Sequence, residues 1–372
     1  MKRGMVSNKT ATGIPPGDGR KPDGHDSECG CFIVPIKVLE RFARDMKLPV
    51  ETRKAFADAS TFEKELRKVR AARTKLSQLA MEILPTAMSV AAAAGPPSIL
   101  VFDCGHGNAL PGSPVPNPGS SSDGTAKRAF VEASAVADFY KKAFGRNSVD
   151  NAGMTLISSV HFSVNYNNAF WNGSQMTYGD GDGNIFIDFT KSNDVIGHEL
   201  THGVTQFSAG LSYTNQAGGL NESMSDVFGS MFRQWRANQI VTKADWLIGK
   251  EIMGPGAISR GFTCLRDMSN PAAKHCLAPQ PTKFSQYHDG LDPHESSGIP
   301  NFAFFKAATA IGGKSWEKAG KIWYQALTGF APSPNLKMKV FANRTRTLAS
   351  GLFPADPAVK TAVDKAWKAV GL

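Results

Sequence analysis

Residues 194–206 read DVIGHELTHGVTQ, in which two histidines, His198 and His202, stand four positions apart. On a helix this spacing puts both imidazoles on one face, where they can bind a single metal ion. Glu199 lies about 100° further round the helix, so its carboxylate would act on a water rather than bind the metal. From the pentapeptide alone, ordinary helix histidines remain an alternative.

A third ligand, Glu222, follows within the sequence NESMSD. It falls on a second amphipathic helix, predicted to start after a break at Gly218 and Gly219. Two imidazoles and one carboxylate leave a coordination position open, which is typical of catalytic rather than structural zinc. Asp226, one helical turn further on, is predicted to accept the second ring N–H of a liganding histidine, and Asn221 is assigned the same supporting position.

Most of the chain, from about residue 101 to the C-terminus, resembles the thermolysin family of zinc metallopeptidases. The segments that carry the resemblance are FGRNS (144–148), VHFSVNYNNAFWNGSQMTYGDGDG (160–183), DVIGHELTHGVTQ (194–206), GGLNESMSDVFG (218–229) and HESSGIPN (294–301). The resemblance implies an α+β fold of two lobes, with the zinc helix at their junction. The expected parts are an α/β lobe with a mostly antiparallel sheet (98–205) and a mainly helical lobe (206–372).

The resemblance also assigns roles at the metal. His198, His202 and Glu222 would bind one catalytic Zn²⁺, and Glu199 would take a proton from the attacking water and deliver it to the leaving amine. By the same similarity, Tyr213 and His294 would donate hydrogen bonds to the oxygen that becomes negative during the reaction. Asp289 would orient the imidazole of His294 and favour its protonated form.

Substrate contacts are implied in the same way. Arg266 resembles the arginine that binds a substrate carbonyl, while Asn168 and the backbone of Ala169, on a predicted edge strand at 161–170, would hold the peptide by strand addition. Four apolar residues fall where the family lines the pocket for the side chain after the cleaved bond: Phe186, Val195, Ile248 and Leu265. Without the resemblance all four would be interpreted as core residues, and for Val195 that interpretation remains the safer one.

One departure from the family concerns calcium. Thermolysin holds a pair of calcium ions with acidic residues behind the zinc helices, and Asp194 and Asp245 are retained here. Arg233, Leu247 and Lys250, however, occupy positions that are acidic there. Two cations in place of carboxylates would repel Ca²⁺ and could pair with the remaining aspartates. The double-calcium site is therefore predicted to be absent, and calcium elsewhere is left open.

Composition agrees with a globular enzyme, since 372 residues with 41% hydrophobic content can form more than one core. The net charge is +10, but residues 1–95 hold 17 Lys/Arg against 11 Asp/Glu, so +6 belongs to them and +4 to the rest. The basic residues are not interleaved with aromatic ones as in single-strand readers, which argues against a nucleic-acid partner. No transmembrane segment is visible, and a monomer is expected.

The N-terminal part resembles a propeptide. Residues 1–28 are rich in Gly, Pro, Lys and Asp and are predicted to be disordered. Residues 29–97 are predicted to form a short helical propeptide and linker, in which CFIVP (31–35) resembles the compact propeptide of the protealysin-like branch of the family. This segment would inhibit the enzyme by blocking its cleft. No apolar signal-peptide core is visible, so secretion would need a non-classical route, and intracellular retention is the alternative.

Five cysteines leave the redox state open. Cys264 and Cys276 bracket the loop that contains Arg266, and they could pair in an oxidising compartment or remain thiols.

The sequence thus predicts a zinc endopeptidase that cleaves on the N-terminal side of bulky hydrophobic residues in peptide and protein substrates and is made as an inhibited precursor. The alternative is a catalytically silent protein that keeps the zinc scaffold for binding. A third possibility is an intracellular peptidase that acts on specific partner proteins.

Overall fold

A computed structural model describes residues 31–83 and 95–372. The predicted disordered tail (1–28) and most of the predicted linker lie outside the described residues. The N-terminal segment, residues 31–83, starts with strand β1 (Cys31–Phe32) and continues as helices α1 (Ile36–Ala43) and α2 (Val50–Ile83). Phe42 and Phe56 hold the two helices together, with ring centroids 5.1 Å apart. The predicted helical character of this segment is confirmed.

The first lobe is built on a six-stranded mixed sheet. Its strands after β1 are β2 (Ile99–Asp103), β3 (Ser113–Pro114), β4 (Leu156–Val160), β5 (Ala169–Trp171) and β6 (Met176–Tyr178). They lie in the order β1-β5-β6-β4-β2-β3. The pairs β2–β4 and β4–β6 are parallel, whereas β1–β5, β5–β6 and β2–β3 are antiparallel. Within residues 98–205, two pairs are antiparallel and two are parallel, so the sheet of this lobe is mixed and the prediction of a mostly antiparallel sheet is wrong.

Helix α3 (Gly124–Phe144) covers this sheet. The carboxylate of Asp123 caps its start by accepting hydrogen bonds from the backbone N–H groups of Thr125 and Ala126. Gly145 ends it at φ +74°, a left-handed conformation that glycine adopts without steric cost.

Two adjoining helices, α4 (Asn193–Gln206) and α5 (Asn215–Arg236), run between the lobes. The predicted helix break at Gly218 and Gly219 is wrong, because α5 begins at Asn215 and runs through both glycines. Close packing explains the glycines instead: a Cβ at Gly219 would lie 2.4 Å from Oγ of Ser296. A Cβ at Gly229 would lie 2.6 Å from the carbonyl oxygen of Asp194, so the absence of a side chain lets α4 and α5 approach closely.

The second lobe is mainly helical, which confirms the predicted two-lobe α+β fold. Its strands and short helices are β7 (Leu247–Ile248), α6 (Pro255–Ile258), β8 (Arg266–Asp267) and α7 (Pro293–Ser296). The remaining helices are α8 (Gly298–Ile311), α9 (Ala319–Thr328), α10 (Met338–Leu352) and α11 (Pro357–Ala369). Trp323 and Trp367 stack in its core with centroids 5.9 Å apart. Among the described residues, no helix has both the length and the apolar character needed to cross a membrane.

One charged contact ties the end of β4 to the start of α3. The imidazole of His161 lies between two carboxylates, with Nδ1 2.8 Å from Asp180 and Nε2 3.0 Å from Asp123. The hydrogen bond that the ring donates to Asp180, helped by the one to Asp123 and opposed by partial burial, raises the pKa of His161 to about 9.

We expect this contact to make stability depend on pH. The folded pKa exceeds the unfolded value of about 6.5, so the stabilisation is complete below pH 6.5 and is lost as the pH rises through about 9. After discounting for solvent screening, the loss should be about 1–2 kcal/mol in the free energy of unfolding. Urea unfolding across this pH range measures it, with Asp180→Asn as the comparison. Equal pH dependence in the two proteins would contradict the assignment.

Candidate metal centre

Helices α4 and α5 bring together three side chains that could hold one metal ion. One ligand atom from each of His198, His202 and Glu222 lies within 4.8 Å of the others. The two Nε2 atoms are 3.0 Å apart, and oxygens of Glu222 lie 3.4 Å and 3.5 Å from them. All three side chains are buried. The residues that sequence spacing predicts as ligands therefore converge.

The hydrogen bonds around the two imidazoles fit a cation at this point. Nδ1 of His198 lies 2.8 Å from Asp226 and Nδ1 of His202 lies 2.9 Å from Oδ1 of Asn221. Donation from Nδ1 to these oxygens leaves each Nε2 with a lone pair, and the two lone pairs would face each other at 3.0 Å. Oε2 of Glu222 is buried and accepts no hydrogen bond from the described residues. A metal ion would satisfy all three atoms.

Asp226 links the ligands to the rest of the cleft. Its carboxylate accepts two hydrogen bonds of 2.8 Å from the guanidinium of Arg266 and one of 2.9 Å from Nδ2 of Asn301. Burial by itself would raise the pKa of Asp226, but Arg266 and His198 hold it at about 2. Asp226 is therefore a fixed anion behind a ligand, as sequence analysis predicts. Asn301 was not predicted, although it lies in the family-like segment 294–301.

Glu199 is buried on the same helix as the two histidines. Its Oε2 accepts a hydrogen bond of 2.8 Å from the backbone N–H of Trp171, the last residue of β5. This contact holds the carboxylate against the sheet at the strand that the N-terminal segment joins.

Two further donors approach from the helical lobe. The hydroxyl of Tyr213 donates to Glu222 and lies 3.2 Å from Nε2 of His294. The prediction that Asp289 orients His294 is wrong. Nδ1 of His294 lies 2.9 Å from Asp292, whereas Asp289 accepts a hydrogen bond from the hydroxyl of Tyr287. Proline at the first position of α7 makes Asp292 the helix N-cap, which directs its carboxylate to both the backbone and the ring of His294.

The N-terminal segment crosses this centre as a short extended peptide. Strand β1 pairs antiparallel with β5, so β5 is not an edge strand of the sheet in this chain. It is also shorter than the predicted strand at 161–170. Past β1, the N–H of Ile33 donates to the carbonyl of Ala169 at 3.2 Å. The side-chain amide of Asn168 makes two hydrogen bonds with Val34, accepting from its N–H at 2.9 Å and donating to its carbonyl at 3.1 Å.

Two carbonyls of the same peptide face cationic or polar side chains. The carbonyl oxygen of Ile33 accepts from Nη1 of Arg266 at 2.9 Å, and that of Phe32 lies 2.5 Å from Nε2 of His294. Asn168, Ala169, Arg266 and His294, all predicted to contact substrate, therefore contact residues 32–34.

The four predicted pocket residues are all fully buried: Phe186, Val195, Ile248 and Leu265. Phe186 additionally meets Phe56 of α2, with ring centroids 6.1 Å apart. The backbone N–H of Leu265 donates to the carbonyl of Ile248, which joins two of the four residues across neighbouring segments.

Behind α4 and α5, Arg233 lies among carboxylates. Its guanidinium is 2.6 Å from Glu251, 3.2 Å from Asp245 and 3.6 Å from the buried Asp194. Lys250 is 3.3 Å from Asp245. The two predicted cations thus pair with the two retained aspartates, and Glu251 is an additional partner that sequence analysis missed.

Comparison with known proteins gives consistent matches. Family models of the thermolysin metallopeptidase catalytic domain and α-helical domain match residues 116–206 and 209–372. An extracellular metalloprotease of Pectobacterium carotovorum subsp. carotovorum is 42% identical over 290 residues, covering 75% of this chain and 82% of that protein. Protease PrtS of Photorhabdus sp. (strain Az29) is 39% identical over 282 residues, covering 73% and 76%.

A solved structure is also similar. The precursor of protealysin, a metalloproteinase from Serratia proteamaculans, is 37% identical, with a TM-score of 0.76 over 91% of this chain and 99% of that one.

Proposed function

Because this chain belongs to the thermolysin family of metallopeptidases, and is a zinc endopeptidase made as a precursor, we propose that residues 32–34 lie in its cleft in the orientation of a substrate. The observation that carries the proposal is the run of backbone contacts that these residues make with Ala169, Asn168, Arg266 and His294. Strand addition of this kind recognises the main chain of any extended peptide, so the N-terminal segment and a substrate would compete for the same groups.

The proposed division of labour follows from the contacts. His198, His202 and Glu222 would hold Zn²⁺, which when bound supplies Lewis acidity that polarises a carbonyl and acidifies a water. Glu199, fixed by the N–H of Trp171, would accept the proton of the attacking water and pass it to the leaving nitrogen.

Tyr213 and His294 would donate to the substrate carbonyl oxygen as it becomes negative. Asp292 would keep His294 oriented and favour its protonated form.

The register of the N-terminal segment suggests the specificity. The carbonyl of Phe32 faces His294, so the peptide bond between Phe32 and Ile33 corresponds to the bond that a substrate presents for cleavage. Ile33 then represents the residue after that bond, and its fully buried apolar side chain would occupy the pocket assigned to Phe186, Val195 and Leu265. A pocket of this character selects bulky hydrophobic side chains, because their burial is favourable by roughly 1.5–3 kcal/mol each.

Incubation of the purified precursor with zinc tests the proposal. We expect mass spectrometry to show the loss of roughly 90–100 N-terminal residues, followed by cleavage of a fluorogenic peptide before leucine. The proposed substrate class requires that Leu, Ile or Phe after the cleaved bond be preferred over Ala or Asp. If the zinc-bound precursor does not trim itself, and also cleaves no peptide after an added protease has removed its N-terminal segment, the silent-scaffold alternative gains support instead.

The finer points of partners and location are also proposals. Relatives carry names such as extracellular metalloprotease, and we infer that this chain likewise acts outside the cell, on protein substrates, as a monomer. Assays of culture fluid with a protein substrate test the location and the substrate class, and light scattering of the purified protein tests the monomer.

The site of Arg233 leads to a prediction about calcium. Its guanidinium occupies the space between Asp194, Asp245 and Glu251, so we propose that the double-calcium site is absent and that Arg233 provides the neutralising charge. With zinc kept in excess, added calcium should shift the melting temperatures of the wild type and of Asp245→Asn by the same amount, within about 1 °C.

Arg233→Met should lower the free energy of unfolding by about 2–4 kcal/mol, because it leaves the buried Asp194 without its cation. Arg236→Met is the matched control, since it removes only a surface pair with Glu132 and should cost less than about 1 kcal/mol. Urea unfolding measures both changes. A calcium-dependent stabilisation of the wild type that Asp245→Asn lacks would contradict the proposal.

A further inference from the structure

A second group of metal-binding side chains lies outside the catalytic centre, in the loop that carries Arg266. Two buried thiols, Cys264 and Cys276, have their sulfur atoms 3.7 Å apart. Backbone hydrogen bonds fix this approach: the N–H of Thr263 donates to the carbonyl of His275 at 3.0 Å, and that of Leu277 donates to the carbonyl of Cys264 at 2.9 Å. The two cysteines therefore face each other from neighbouring backbone segments without any cross-link.

A third donor completes the group. One ring nitrogen of His275 and the sulfurs of Cys264 and Cys276 all lie within 4.8 Å of one another. Nε2 of His275 is 3.3 Å from the carboxylate of Asp267, which is nearly buried. A carboxylate beside a histidine in this way orients the ring, as around known metal-binding histidines.

We propose that Cys264, His275 and Cys276 bind a thiophilic divalent metal ion of the zinc class, as a second site separate from the catalytic one. Two thiolates bound to tetrahedral zinc at about 2.3 Å would have sulfurs roughly 3.8 Å apart, close to the 3.7 Å observed. A disulfide requires about 2.05 Å, so the two sulfurs would have to move much closer together.

The protons also balance. The hydrogen bond with Cys276, together with burial, raises the pKa of Cys264, so without a cation this cysteine is a neutral thiol. Binding of the metal would release both thiol protons to solvent and leave two thiolates, making the affinity rise with pH. Because His275 is partly exposed, the site has an approach from solvent.

The consequence for the enzyme lies in the segment that the site would close. Arg266 stands two residues after Cys264, and it contacts both Asp226 and the carbonyl of Ile33. A metal ion joining Cys264 to Cys276 would fix the two ends of this loop and so stabilise the arginine at the cleft.

Metal analysis of the full-length Glu199→Gln protein, purified under reducing conditions with zinc, tests the proposal without relying on activity. We expect about two zinc ions per chain, falling to about one in Cys264→Ser/Cys276→Ser. Cys104→Ser is the matched control, because this half-buried cysteine is not part of the proposed site. This variant should retain about two zinc ions per chain. His275→Gln should weaken binding of the second ion at least tenfold. Because His275 is partly exposed, this variant should fold, and it tests the site even if the double serine variant does not fold.

Cobalt provides a second measurement that identifies the ligands. The catalytic centre has no thiolate, so thiolate-to-cobalt charge-transfer absorption in the near ultraviolet should arise in the parent and in Cys104→Ser, and should vanish in the double serine variant. A single zinc ion per chain with no such absorption would overturn the proposal. So would a Cys264–Cys276 disulfide that forms in protein purified with excess zinc but without reductant, seen in non-reducing peptide maps as a crosslinked pair two hydrogens lighter.

Discussion

Replacing Glu199 with glutamine should lower kcat/KM for peptide hydrolysis by about 1,000-fold or more while the zinc content stays unchanged. The amide keeps the size of the side chain and can still contact Trp171, but it cannot accept the proton of the attacking water. General-base groups contribute about 10²–10⁴-fold, equivalent to roughly 3–5 kcal/mol of the activation barrier. Initial rates on a fluorogenic peptide measure the effect after an added protease has removed the N-terminal segment from both proteins.

The matched control is Glu132→Gln. Glu132 pairs with Arg236 on the surface of α3, so its loss should leave kcat/KM within about twofold of the wild type. If Glu199→Gln kept a tenth of the activity, Glu199 would not be the base. If the variant lost its zinc, the glutamate would instead support the metal ligands.

The metal ligands were predictable because their arrangement is local. The spacing of His198 and His202 fixes their common face on one helix, and Glu222 and Asp226 share a face of the next for the same reason. What the spacing does not contain is the approach of the two helices, which depends on close contact at Gly229. The expectation that the two helices lie side by side came from the resemblance to the family.

The orienting acid of His294 shows where a family pattern misleads. Asp289 matched the expected role by position, yet its loop places it against Tyr287. The Asp-Pro pair before His294 was itself a local signal, since proline at the first helical position makes the preceding residue an N-cap. Reading α7 from its capping residues would have selected Asp292.

The contacts of the N-terminal segment could not be read from the sequence. Val34 and Asn168 are 134 positions apart, and nothing in the periodicity of either segment sets their register. The charge pattern was more informative. Arg233 and Lys250 stand where the family has acidic residues, which predicts that they pair directly with the two retained aspartates. The structure has both kinds of pair, Arg233 with Asp194 and Lys250 with Asp245.

Ile33→Asp should raise the activity of the intact precursor by about 100-fold or more. Ile33 is fully buried, and burying a carboxylate in its place costs several kcal/mol. A 100-fold rise in activity corresponds to about 2.7 kcal/mol, so this cost is large enough to produce it. The segment at 32–34 should therefore leave the cleft, freeing Asn168 and Arg266 for substrate. Initial rates within the first minutes measure the effect, with mass spectrometry confirming that the chain is still uncleaved.

Val50→Asp is the control for this substitution, because it introduces the same charge in place of a β-branched side chain that is 64% exposed at the start of α2. It should leave the precursor as inactive as the wild type, since an exposed carboxylate loses little hydration and aspartate suits a helix N-terminus. Equal activation by both variants would mean that any added negative charge loosens the N-terminal segment. An inactive Ile33→Asp precursor that binds zinc normally would mean that residues 32–34 do not block the cleft, and inhibition would then depend on the packing of α1 and α2.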